Sequence, residues 1–270
     1  MNMHRIAIAL VLLGFAAGCA GKEDPNAGYV EQPVHVIYNN AVDALEEGNF
    51  ATAAKGFDEV ERQHPYSVWA TKAQLMAGYA SYQANNYGDA LVALNRFIDL
   101  HPGHRDVPYA YYLKALSYYE QITDVARDQH TTEQALAALE EVVRRFPNSK
   151  YARDARLKLD LTRDHLAGKE MAVGRYYLRR GEYLAAINRF AQVVDKYQTT
   201  THVPEALLRL TEAYSAIGLT EEAKRNAAVL GHNYPGSDWY ADSYALLTGK
   251  DVREKTEDKG FLARTWDWIF

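Results

Sequence analysis

The chain has 270 residues, 48% of them hydrophobic and 24% charged, with a formal net charge of −5. That composition fits a folded protein with a large core, and the acidic balance argues against a nucleic-acid binder, which would carry a basic stripe. A single cysteine, Cys19, excludes an intramolecular disulfide.

Residues 1–18 have a short basic start (His4, Arg5), an apolar run from Ile6 to Phe15, and Ala16, Ala17 and Gly18 before Cys19. The run is too short to span a bilayer and has the layout of a bacterial export signal. It resembles a lipoprotein signal, whose lipobox ends small-small-Cys, with Ala16 where leucine is commoner. The implied chemistry is thioether lipidation of Cys19, cleavage after Gly18 and acylation of the new amine. Several acyl chains anchor stably, since each buried methylene contributes ~0.8 kcal/mol. Ala20, not aspartate, follows the cysteine, which by resemblance to enterobacterial sorting implies the outer membrane. Residues 19–34 read as the lipidated cysteine and a flexible tether, polar and punctuated by Pro25, Gly28 and Pro33.

Beyond the tether one frame recurs: a small residue, an alanine 12 positions on, and a proline 12 further. It reads Ala41–Ala53–Pro65, Gly78–Ala90–Pro102 and Thr211–Ala223–Pro235. Gly174–Ala186–Gln198 lacks the proline, and Ala115–Ala135–Pro147 has its first interval stretched to 20. Four after the central alanine stands a bulky residue (Phe57, Leu94, Leu139, Phe190), except for Ala227. This is the tetratricopeptide (TPR) signature, a helix–turn–helix with a period near 34 residues. Small residues let two antiparallel helices approach, the residue four on shares their face, and proline ends the second helix. Gly78 and Ala90 are expected where the helices touch. The fold expected is all-α: a right-handed α-solenoid of five TPR helix pairs plus a C-terminal capping helix, stacked on one continuous core.

The N-terminal half, residues 35–148, holds repeats one to three, with turns at Gly48-Asn49 and Asn85-Asn86. Its third repeat carries a polar insertion over 124–131, the kind of loop that solenoids place on functional faces. The punctuation Pro65-Tyr66-Ser67-Val68-Trp69 recurs at Pro147–Tyr151 and Pro235–Trp239. Each serine is expected to cap a helix, and each aromatic to staple that helix against the preceding one. The C-terminal half, residues 149–248, opens with a run free of proline from Ser149 to Arg180, expected as one long helix or two nearly collinear ones. The tail, 249–270, is first charged and then apolar, with Leu262, Trp266 and Phe270 on one helical stripe. That stripe suits the solenoid, a partner or the bilayer interface.

No catalytic constellation emerges: the chain has no GxSxG, P-loop, HExxH or paired-cysteine metal site. His101 and His104 flank the turn at Pro102-Gly103 and do not read as metal ligands, and His165 and His232 are expected on solvated surfaces. The 20 tyrosines read first as fillers between helices. The chemistry is therefore recognition, without enzyme activity, metal or cofactor, by a helical surface that binds protein segments through pockets and matching charge.

Four stretches add detail: NRFIDLHPGHRDVPYAYYLKALSYY (95–119), DVARDQ (124–129), FPNSKYARDAR (146–156) and LAGKEMAVGRYYLRRGEYLAAINRF (166–190). They resemble the BamD family, TPR lipoproteins of the outer-membrane β-barrel assembly machinery, over roughly residues 35–245. The resemblance implies a lipid-anchored scaffold on the periplasmic face of the outer membrane. Its implied partners are the POTRA domains of the BamA insertase, smaller lipoproteins of the complex, and the targeting strand of unfolded barrel proteins. Asn188-Arg189 match the family's Asn-Arg pair, which implies a contact to BamA in which the guanidinium could meet a carboxylate bidentately. Targeting strands end in an aromatic residue, so the groove of repeats one and two is the candidate substrate site, with Tyr38, Tyr79 and Tyr82 as contacts. The alternative is a periplasmic TPR adaptor of envelope division, or of secretin or pilus assembly. The division adaptors typically carry an N-terminal coiled coil, for which residues 20–36 are too short.

Overall fold

The computed structural model describes residues 31–250. The signal reading, Cys19 and the stripe Leu262, Trp266 and Phe270 lie outside the described residues. Among the described residues there are 11 α-helices and no strand. The chain is an all-α TPR solenoid. Its helices are α1 Val34–Glu46, α2 Phe50–Gln63, α3 Val68–Gln83, α4 Tyr87–Leu100, α5 Val107–Tyr119, α6 His130–Arg145, α7 Lys150–Arg179, α8 Tyr183–Lys196, α9 Val203–Ala216, α10 Thr220–Asn233 and α11 Asp238–Thr248.

Local chemistry sets the ends. Ser67, Ser149 and Ser237 accept hydrogen bonds from the backbone N–H of Ala70, Ala152 and Tyr240 at 3.2, 3.1 and 3.2 Å, each satisfying an orphan donor of a helix start. Helices α5 and α9 open instead on Pro108 and Pro204, whose missing N–H costs nothing in a first turn. The turn of repeat two is closed by Asn85 at φ 58°, where repeat one uses Gly48; asparagine tolerates that left-handed conformation better than other side chains.

The crossings are built on size. A Cβ added to Gly78 would lie 2.8 Å from the Leu94 side chain, and one added to Gly174 would lie 2.5 Å from the Phe190 ring. The small residue therefore receives the residue four beyond the central alanine, while Ala90 itself is fully buried beside it. Phe57, Leu94, Leu139 and Phe190 are all 0% exposed, and burial of each stabilises by about 1.5–3 kcal/mol.

The stapling aromatics land differently from the expectation. Trp69 of α3 packs on Tyr38 of α1, with ring centroids 4.8 Å apart. Tyr151 of α7 packs on Tyr109 and Tyr112 of α5, at 5.3 Å each. Each bridges two helices back, because the first helices of successive repeats lie side by side.

Helix α7 is continuous over 30 residues, about 45 Å at 1.5 Å per residue. Ala155 and Leu159 near its start share a core with Ala115, Leu139 and Val142, whereas Ala167 and Met171 near its end share one with Phe190 and Leu207. One rod thus closes the first three repeats and opens the fourth. The insertion read over 124–131 is shorter as a loop, since His130 and Thr131 already belong to α6. Lys169 of α7 fastens it, donating to the carbonyls of Ala126 and Arg127 at 3.1 and 3.3 Å. At the other end Val34 already starts α1. Gln32 before it is held by Gln63, whose Oε1 accepts its N–H at 2.9 Å, and by His64, whose Nε2 is 2.7 Å from its carbonyl. His165 is a correction: its Nε2 is buried without a hydrogen-bond partner, since α7 is covered there by the loops that Asp164 and Lys169 bind on the adjacent turns.

Candidate partner-binding surfaces

Three helices, α3, α5 and α7, bring tyrosines from successive repeats together. Tyr109 and Tyr112 both pack on Tyr151, and Tyr82 lies 5.9 Å from Tyr87. The hydroxyls are spoken for: Tyr82 donates to Glu120 at 3.4 Å, Tyr112 donates to Asp154, and Tyr79 accepts from Gln83 Nε2 at 2.9 Å. Burial pushes the Tyr82 phenol up to about 12, helped by the Glu120 carboxylate. Burial likewise raises Tyr112 and Tyr109, for Tyr112 with the hydrogen bond to Asp154 adding. Asp154 is held below the usual carboxylate range, first by the Tyr112 hydroxyl and then by Lys158. The result is a neutral, half-buried aromatic surface edged by Glu120, Asp154 and Lys158. Such a surface can stack on an aromatic or aliphatic side chain.

Of the three tyrosines read as groove contacts, Tyr79 and Tyr82 lie on this surface, half-buried. Tyr38 does not. It is 4% exposed and sits between Phe57 and Trp69, at 5.4 and 4.8 Å, with the Lys72 ammonium 5.1 Å from its ring centre. It is a core residue of the first repeat, because its position on α1 faces both α2 and α3.

Asn188 and Arg189 lie on α8. Asn188 is exposed; Arg189 is half-buried and donates through Nη1 to Glu170 of α7 at 3.1 Å. With Tyr177, Gln192 and Asp195 they line an open recess of about 610 Å³. One guanidinium hydrogen bond leaves four donors of the five unused by that bond, so an incoming carboxylate could add to Glu170 or replace it. A further recess, about 750 Å³, lies between α2 and α4; nothing in the residue spacing pointed to it.

Among the described residues no group of three or more histidine, cysteine or acidic side chains is placed to hold a metal ion. His101 instead meets Gln74 Oε1 at 2.9 Å, and the His104 ring packs 5.4 Å from Phe97. No described helix is long and apolar enough to cross a membrane.

A stacked helical rod with aromatic and charged recesses is the architecture of a TPR protein. The particular family follows from comparison. The chain belongs to the family described as "YfiO: Outer membrane lipoprotein", whose model matches residues 30–245. Its relatives include three proteins named "Outer membrane protein assembly factor BamD". That of Caulobacter vibrioides is 55% identical over 254 residues, covering 93% of this chain and 83% of the relative. That of Rickettsia prowazekii is 45% identical over 248 residues, covering 92% and 98%. That of Neisseria meningitidis serogroup A is 34% identical over 255 residues, covering 90% and 96%.

Proposed function

We propose that the chain is an outer-membrane protein assembly factor: a scaffold of the barrel assembly complex that works by holding partners and not by turnover. The family model and the assembly-factor names of the relatives support this reading and do not favour the adaptor alternative. In it, lipid on Cys19 anchors the chain to the periplasmic face of the outer membrane. Asn188 and Arg189 contact the POTRA domains of a BamA-type insertase. The tyrosine surface around Tyr79 and Tyr82 receives the aromatic end of an unfolded barrel strand, and smaller lipoproteins of the complex dock elsewhere on the rod.

The observation that carries the insertase contact is Arg189 itself, a guanidinium held in place by Glu170 beside an exposed Asn188 and an open recess. Such a pre-positioned fork loses little entropy on meeting a carboxylate. The test is co-purification from detergent-solubilised outer membrane. Arg189→Glu should lose the insertase while leaving the helical circular dichroism unchanged. Normal recovery of the insertase with this variant rules out the assignment.

A further inference from the structure

The first helix of each repeat packs against the second helix of the same repeat. Among the described residues α11 is a first helix without a second. It follows the serine cap Ser237 as α3 follows Ser67, and it packs on α9 and α10. Its burial is lower than that of its counterparts. Eight residues of α3 and seven of α9 are buried, whereas on α11 only Ala241 and Ser243 are. Yet α11 carries Trp239, Tyr240, Tyr244, Leu246 and Leu247, none of them buried.

Part of this surface forms a recess of about 280 Å³. Tyr240, Tyr244 and Leu247, at i, i+4 and i+7 on α11, line one side, and Ala227, Ala228 and Gly231 of α10 line the other. Rings facing small residues leave a mainly apolar furrow of the kind into which a helix ridge packs. Beside it in sequence, Val229 and Leu246 are 45% and 49% exposed.

The chain leaves from the edge of this recess. Thr248 lines it. The Thr248 hydroxyl donates to the Tyr244 carbonyl at 2.8 Å and accepts the Lys250 N–H at 3.3 Å. Gly249, at φ 70°, turns the backbone out of the helix. Residues 251–270 follow, outside the described residues. Within FLARTWDWIF (261–270), Leu262, Trp266 and Ile269 repeat the i, i+4, i+7 spacing of the α11 side, and Arg264 falls opposite. From Lys250 to Phe261 the chain can extend up to about 36–40 Å, against about 16 Å for the length of α11. A segment tethered this closely meets the recess at an effective concentration on the order of millimolar.

We propose that residues 261–270 seat as a helix in the α10–α11 recess, with Leu262, Trp266 and Ile269 facing Ala227, Ala228 and Leu247. The segment gives α11 the second helix that every earlier first helix has. It also closes the end of the solenoid, where the stack otherwise stops at an apolar surface; terminal repeats need a polar outer face. Tethering favours this occupant over a separate protein or the bilayer.

The test places photo-reactive benzoylphenylalanine at position 266 of the full chain in its native membrane and maps the adducts by mass spectrometry. Adducts to residues 227–248 of the same chain are expected. They should be about tenfold more abundant than from position 268, which lies about 200° round a helix from 266. Ala228→Glu, at an exposed position of the recess, should cut them about tenfold without changing the helical circular dichroism, and Ala228→Ser should not. A second measurement needs no label: deletion of 251–270 should speed amide hydrogen exchange in α11 about tenfold and leave α3 unchanged. Adducts chiefly to lipid, to another protein, to a second copy or elsewhere on the rod overturn the proposal. So do equal yields from 266 and 268, or exchange in α11 that the deletion leaves unchanged.

Discussion

In repeat four, Gly174 lies under the ring of Phe190, so closely that an added Cβ would be 2.5 Å from it. In repeat five the corresponding positions hold Thr211 and Ala227, both buried. Threonine brings inward the volume that glycine lacks, satisfies its hydroxyl on Leu207, and faces a helix whose large residue has become alanine. The aromatic ring has not vanished from repeat five. It comes from the next element: Tyr240 of α11 lies over Gly231 of α10, where an added Cβ would be 2.6 Å from the ring. Where a glycine meets a ring, at Gly174–Phe190 and Gly231–Tyr240, a small and a large residue share one space, and at Thr211–Ala227 two smaller residues divide it. Packing density sets their joint volume, since interiors tolerate neither void nor excess.

The largest effect should come from removing the ring of repeat four. Phe190→Ala should cost about 3–5 kcal/mol through lost burial and the cavity left behind, read as a lowered urea midpoint. Ala227→Gly in repeat five removes one methyl and should cost only about 1 kcal/mol, chiefly through helix propensity. Similar costs at the two sites would break the comparison. A sharper version adds volume: Gly174→Ala should destabilise by about 1–3 kcal/mol by overpacking. Combined with Phe190→Leu, it should cost less than the sum of the single changes, because the two residues share one space. Simple additivity would mean that the crossing does not depend on their joint volume.

Repeat period, serine caps, glycine and asparagine turns and closing prolines were legible because each is a local signal within a few residues of its effect. The helical run from Ser149 to Arg180 was legible for the same reason, since no proline breaks it, but whether it forms one helix or two collinear ones across Gly168 was not, and it forms one. Which side chains meet across helices was less so. Trp69 and Tyr151 reach two helices back, a distance that spacing alone does not reveal. Tyr38 looks like Tyr79 and Tyr82 in sequence and differs only in facing two neighbours at once. Exposure of Asn188 follows from its register opposite Ala186 and Phe190, but the Glu170 that holds Arg189 stands 19 residues earlier on another helix. The α2–α4 recess draws its lining from separate helices, which spacing within one segment does not bring together.

The joints between repeats offer the smallest test. Repeats four and five are tied by charge, Arg175 of α7 to Glu205 of α9 at 2.9 Å, with Arg209 on the same helix as Glu205 sharing that carboxylate at 3.4 Å. Repeats three and four are tied by the Tyr112 hydroxyl on Asp154, a neutral donor on an ionised acceptor. That second joint has two edges in pH. Asp154 is depressed from its ordinary 3.8 in the fold, so its contribution is present above that value and is lost as pH falls through the folded pKa. Tyr112 is raised from 10.0, so its contribution is present below that value and is lost as pH rises through the folded pKa. Asp154 is 43% exposed, and solvent screening keeps the effect small. Tyr112→Phe should cost about 1 kcal/mol at neutral pH and flatten both edges in a pH series of urea midpoints. Unchanged edges in that variant would place the pH dependence elsewhere and leave the joint to apolar packing, of the rings on Tyr151 and of Ala155 and Leu159 on Leu139 and Val142.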